Sequence, residues 1–206
     1  TVYQSKDNGF KWTRLKKRLL KTIKKTNPNF KGVTNVLQSK LDSNQFLLLG
    51  DSTTSFITRD CGATFSSISH PKGVTKIQFH PQIQGTFLML VTKDRKCLTP
   101  LCLPNKSLYL VEQFGKLVKR VQKNVIDFSW AFQEETADPD FPRNRVIFQK
   151  QVEGGEIKGK KWSGKYSVFV SDDLFQSKPR ILLHRGNKFA LSTHFLFVAK
   201  VVSEKR

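Results

Sequence analysis

The stretch "SFITRDCGATF" (residues 55–65) sets Thr58, Asp60, Gly62 and Phe65 in the order hydroxyl-x-Asp-x-Gly-x-x-aromatic. Each residue type suits a tight hairpin. A Thr hydroxyl and an Asp carboxylate can bond the turn's own backbone N–H groups. A glycine takes a positive φ that other residues adopt only at a cost. An aromatic ring can pack beneath the turn and pin it to the sheet. No partner residues for catalysis or metal binding accompany the aspartate, so Asp60 reads as a turn clamp.

The same offsets recur at the start of the chain. In "SKDNGFKW" (residues 5–12) they are filled by Ser5, Asp7, Gly9 and Trp12, and the two aspartates lie 53 positions apart. Four chemically specific positions kept at fixed spacing mark a repeat. Short β-prone runs separated by turn residues lie between and beyond the two motifs: "GVTNVLQSK" (32–40), "FLLLGD" (46–51), "SFITRD" and "TFSSI". A second pass runs through "VTKIQFHP" (74–81), "FLMLVTKD" (87–94), "SLYLVEQFG" and "KLVKRV", and a third through "VIDFSWAF" (125–132), "RVIFQKQV" (145–152), "YSVFVSDDLF" (166–175) and "RILLH". "KFALSTH" and "FLFVAKVV" begin a fourth. In the second pass Val111, Gln113 and Gly115 hold the motif positions, Gln113 again 53 residues after Asp60. In the third, Ser171 and Asp173 are kept and Phe175 replaces the glycine, with "VEGGEIKGKKWSGK" absorbing extra length.

A tandem array of four-stranded units at this period predicts an all-β chain, a β-propeller with about four blades present, the first and last incomplete. The motifs fall near 5–12, 58–65, 111–118 and 171–178, at the hairpin between the third and fourth strands of each unit. Each sheet would bury both faces against its neighbours, which accounts for strands as apolar as "FLLLG". The chain opens inside a motif, which predicts a piece of a longer propeller with uncovered sheet faces at its ends.

Composition narrows the function classes. The 206 residues carry 17 Phe and 38% hydrophobic residues, enough for a core. Lys+Arg number 36 against 16 Asp+Glu, a formal charge of +20. Such a balance fits an anionic partner or basic residues scattered over solvent-facing strands. The densest run, "KWTRLKKRLLKTIKK" (11–25), holds eight cations, and Leu15, Leu19, Leu20 and Ile23 lie at roughly helical spacing. It reads as a solvated basic insertion over 16–31 with a short amphipathic helix. Its apolar residues are aliphatic apart from Trp12, unlike the interleaved aromatics of a single-strand nucleic-acid site, so no nucleic acid is expected. The cysteine spacing gives no zinc site. Cys97 and Cys102 bracket a turn-like "LTPL" and either close a small disulfide loop in an oxidising compartment or stand as free thiols. Asn105 begins a glycosylation sequon.

The motif resembles the Asp box shared by sialidases and by the ten-bladed propellers of the sortilin family of sorting receptors. "VYQSKDNGFKWTRL" is similar to the first such box of sortilin propellers. "YSVFVSDDLFQSKPRILL" followed by "FALSTHFLFVAKVV" is similar to a passage between their blades, and the "FHP" of residues 79–81 fits their blade openings. The resemblance covers essentially the whole chain. Gln113, Phe175 and the basic insertion depart from it.

The resemblance implies the N-terminal part of a lumenal propeller with no catalytic residues and no cofactor. Such a receptor carries soluble cargo, including hydrolases, from the Golgi to late endosomes, vacuole or lysosome, and is anchored by a membrane span outside this chain. Two alternatives follow from the residues: a sialidase-like glycosidase, and a basic module for nucleic acid or acidic partners. The glycosidase needs a tyrosine nucleophile with an acidic partner and an arginine cluster. The three tyrosines, Tyr3, Tyr109 and Tyr166, each sit in a strand beside a turn motif.

Overall fold

The computed structural model describes residues 2–23, 30–92, 106–131, 143–152, 156–157, 160–161, 165–192 and 195–200. Cys97, Cys102 and Asn105 lie outside them.

Among the described residues, three complete four-stranded antiparallel sheets follow one another along the chain. The first contains β3 (Val33–Gln38), β4 (Phe46–Gly50), β5 (Thr54–Thr58) and β6 (Ser66–Ser69) in that order. It is preceded by a hairpin of β1 (Tyr3–Gln4) and β2 (Thr13–Arg14), then helix α1 (Lys16–Thr22). The second sheet contains β7 (Val74–Phe79), β8 (Phe87–Thr92), β9 (Lys106–Glu112) and β10 (Leu117–Lys123). The third contains β11 (Val125–Trp130), β12 (Val146–Val152), β15 (Lys165–Ser171) and β16 (Arg180–His184). Between its middle strands a small hairpin, β13 (Glu156–Ile157) and β14 (Lys160–Lys161), falls in the inserted segment. β17 (Gly186–Leu191) and β18 (Leu196–Lys200) form a last pair. These are propeller-type blades, incomplete at both ends.

Side-chain alternation divides each sheet between two neighbours. On β8, Phe87, Met89 and Val91 meet Leu47, Ile57 and Ile68 of the first sheet. On the same strand, Leu88 and Leu90 join Val125, Phe128, Val146 and Phe148 of the third. Val168 and Val170 of β15 turn instead toward Phe189 and Val198 of the last pair. Strands buried on both faces are therefore apolar throughout, and "FLMLV" is buried at every position.

The basic stretch adopts a helix whose apolar side is built into this arrangement. Leu15, Leu19 and Ile23 are buried against Leu48 and Phe56 of the first sheet, while Leu20 stays exposed. The part of the insertion that the helix covers is thus a packed element with a cationic outer surface, where a solvated stretch was expected. Three apolar side chains at i, i+4 and i+8 give the helix a face to bury.

Candidate functional site

The motif residues lie in hairpins between the third and fourth strands, and the first, second and fourth of these are closed by their own side chains. Between β5 and β6 the Thr58 hydroxyl donates to Asp60 Oδ1 at 2.7 Å and accepts the Gly62 N–H at 2.8 Å. Asp60 Oδ1 accepts the Thr64 N–H at 2.8 Å, and Oδ2 accepts the Thr64 hydroxyl at 2.6 Å. The Thr64 hydroxyl and N–H hold the Asp60 carboxyl down at about 2. Between β1 and β2, Ser5 donates to Asp7 and accepts the Gly9 N–H, while Asp7 accepts the Lys11 N–H at 2.8 Å. That Lys11 N–H bond, then the Ser5 hydroxyl, lowers the Asp7 carboxyl. After β15, Ser171 accepts the Phe175 N–H at 2.9 Å and Asp173 accepts the Ser177 N–H at 2.8 Å.

All four hairpins place successive residues at positive φ: Asn8 and Gly9, Cys61 and Gly62, Leu174 and Phe175, and in the third hairpin a run of three, Gln113, Phe114 and Gly115. The second hairpin is tight around Gly62, where a Cβ would lie 3.2 Å from the Gln4 amide and 3.3 Å from the Phe65 ring. In the third hairpin Val111 and Gln113 offer no hydroxyl–carboxylate clamp, yet the turn persists. There Gly115 sits so close that an added Cβ would fall 2.3 Å from Ile68 Cγ1. In the fourth hairpin Phe175 tolerates φ 64° because its ring is buried beside Phe148. Trp12 lies beside Gly9 but remains 63% exposed, so its ring covers less of the turn than the motif implies. The four motifs stand on separate hairpins, and their aspartates do not converge on a common site. Tyr3, Tyr109 and Tyr166 are likewise on three different sheets, Tyr109 inside a core.

Two further recurrences went unread in the sequence. Each first strand carries a register shift at its start, at Val33/Asn35, Val74/Lys76, Val125/Asp127 and Gly186/Lys188. Gly73, Asn124 and Arg185, at the entry to three of these strands, all have positive φ. The residue types at these entries differ and the intervals between them are unequal, so the sequence carries no simple signal for them. A turn-capping position also repeats after the first strand. Ser39 accepts the Leu41 N–H there, and His80 Nδ1 accepts the Gln82 and Ile83 N–H groups at 3.0 and 2.9 Å. With Nδ1 accepting, Nε2 carries the proton and donates to Asn144 at 3.3 Å. Burial pushes the His80 imidazole down to about 4.

The first strands of successive sheets meet at a concave surface. β7, β11 and β17 line a groove of about 450 Å³ with Lys76, Ile126, Asp127, Asn187, Lys188 and Phe189. Lys76 spans two sheets, donating to Asp127 Oδ1 at 2.6 Å and to the Phe128 carbonyl at 2.7 Å. Buried Gln149 holds the rim of the third, donating to the Asn187 carbonyl. Lys106 and Lys188 also line the groove, and among the described residues neither has a carboxylate in ion-pair range. Each first strand is an edge, with a ladder on one side only. The groove thus offers peptide-backbone groups, apolar ring surface and positive charge together, a combination suited to an extended acidic or polar chain. Sequence reading could not locate it, because its residues come from three different passes of the repeat.

The Sortilin-Vps10 family model, described as "Sortilin, neurotensin receptor 3", matches residues 1–206. Among curated proteins, the human Sortilin-related receptor is 27% identical over 149 residues, covering 71% of this chain. The rabbit (Oryctolagus cuniculus) Sortilin-related receptor is 30% identical over 101 residues, or 48% of the chain. The matched parts span only 6% and 4% of those two relatives' lengths.

Proposed function

The chain belongs to the Sortilin-Vps10 family, and from that premise we propose that it is the ligand-binding lumenal part of a sorting receptor. The family match over the full chain carries this reading. In it, the receptor takes soluble cargo proteins, hydrolases among them, from the Golgi to endosome, vacuole or lysosome. A membrane span outside this chain anchors it, and the propeller acts by binding rather than by catalysis. The motif residues Ser5, Asp7, Gly9, Thr58, Asp60, Gly62, Gly115, Ser171 and Asp173 serve as turn structure, with Trp12 and Phe65 as their ring partners. Cargo is met at the first-strand groove, where Lys106 and Lys188 have no acidic partner among the described residues and three strand edges converge.

The test is a titration of the immobilised chain with a purified soluble hydrolase precursor, beside Lys106→Glu and Lys188→Glu variants. Saturable binding that weakens by about tenfold or more in the double variant, with an unchanged melting temperature, is the expected result. Binding indifferent to both substitutions would remove the groove from the reading. Absence of saturable binding to any such precursor would remove the cargo class.

A further inference from the structure

The fourth strands form the opposite edges of the three complete sheets, and they are not equivalent. β10 carries Lys119, Arg120 and Lys123, and β16 carries Arg180 and His184. Charged side chains along an edge discourage pairing with another chain. β6 reads Ser66, Ser67, Ile68 and Ser69, without a charge or a proline, and is paired only with β5. It is the unguarded edge among them.

Beside β6 lies a groove of about 640 Å³ between the first and second sheets, bounded by the second and third motif hairpins. Ser66, Ser67, Gln84 and Gln113 line it. In the other three hairpins the residue at the Gln113 position is an aspartate engaged with its own turn. Replacement by Gln113 leaves the third hairpin unclamped and sets an amide on the groove wall. Phe114 forms a platform there, with the Arg59 guanidinium 4.5 Å from the ring centroid. Arg59 and Lys116 bring two positive charges to the lining against one carboxylate, Glu112.

We infer that β6 and this groove dock an extended segment of a partner protein bearing acidic side chains, added as a fifth strand to the first sheet. The free edge supplies main-chain hydrogen bonds, and alternate side chains of the segment enter the groove. Arg59 and Lys116 select acidic residues, as the +20 charge of the chain also does at long range. The site is independent of the first-strand groove and stands or falls apart from it.

The experiment uses an end-blocked Thr-Glu-Val-Glu-Val-Thr peptide on the whole chain, read by fluorescence anisotropy and by amide hydrogen exchange. Three comparison probes are the same peptide N-methylated at alternate residues, its lysine-for-glutamate counterpart, and a heparin hexasaccharide. Expected are saturable binding below about 1 mM, slowed exchange at residues 66–69, and a loss of about tenfold on N-methylation. Ser67→Lys and Arg59→Glu should each weaken binding by a similar factor, Arg59→Lys by less, and Lys188→Glu not at all. Unchanged exchange in β8 certifies that a variant is folded. Equal binding by the N-methylated peptide, preference for heparin, unaltered exchange in β6, or no binding at about 1 mM would each overturn the inference.

Discussion

Asp60 engages Thr64 with both carboxylate oxygens, so the residue is anchored although its surface is open to water. Asp60→Ala should cost about 1 kcal/mol, comparable to loss of a helix cap, and Asp60→Asn less, since an amide oxygen still accepts. Urea melts of the three proteins check this ranking. The pH dependence has a definite sign. The folded carboxyl titrates at about 2 against an ordinary 3.8, so its stabilisation is present above the ordinary value and is lost as pH falls toward 2. Asp60→Asn should flatten that acid limb. Gly115→Ala should be worse than Gly62→Ala, because both force a side chain to positive φ but only Gly115 meets a methylene at 2.3 Å. A cost of about 2 kcal/mol or more, with Ile68→Ala partly relieving it in a double-mutant cycle, is the expected outcome. The turn chemistry of Asp7, Asp60 and Asp173 was legible in the sequence because hydroxyl, carboxylate and glycine are locally diagnostic. Phe175 was not, since a phenylalanine at positive φ is permitted only by the third sheet's core around it.

The elements show the same division. Strands such as "RILLH" and "FLMLV" were visible from β-prone composition between turn residues. The register shifts at Val33, Val74 and Val125 were not, because a valine at the start of a strand has no special signature. Helix α1 was recognisable from its spacing, whereas its burial depended on the apolar side of the first sheet, which lies far along the chain. Leu19 is 3% exposed and faces Leu48 and Phe56. Leu19→Ala should therefore destabilise by about 2–3 kcal/mol, near the lower end for buried leucine, while Lys21→Ala on the outer face should stay within about 0.5 kcal/mol. Chemical denaturation of both variants distinguishes a packed helix from a solvated one. Equal, small effects would show that the helix contributes charge and no structure.

At the scale of the whole molecule, His80 couples the second sheet to the third through Asn144, which itself bridges to Asp173. It also contacts the Trp130 ring at 4.4 Å. The unfolded imidazole takes a proton near 6.5, whereas the folded one resists until about 4. Native stability contributed by neutral His80 is therefore complete above 6.5 and declines as pH falls from there to about 4. Buried His70, also lowered by burial, adds to the same slope. Thermal melts from pH 7 to 4 should show this decline, and His80→Gln should reduce its steepness while lowering the melting temperature at neutral pH. The alternation on β8 reaches further still. A volume change at Met89 is felt by Leu47, Ile57 and Ile68, whereas one at Leu88 or Leu90 is felt by Val125, Phe128 and Phe148. Adjacent codons thus answer to different partners. As related sequences drift, odd positions of this strand will covary with the segment before it and even positions with the segment after it, so that one strand keeps two separate evolutionary accounts.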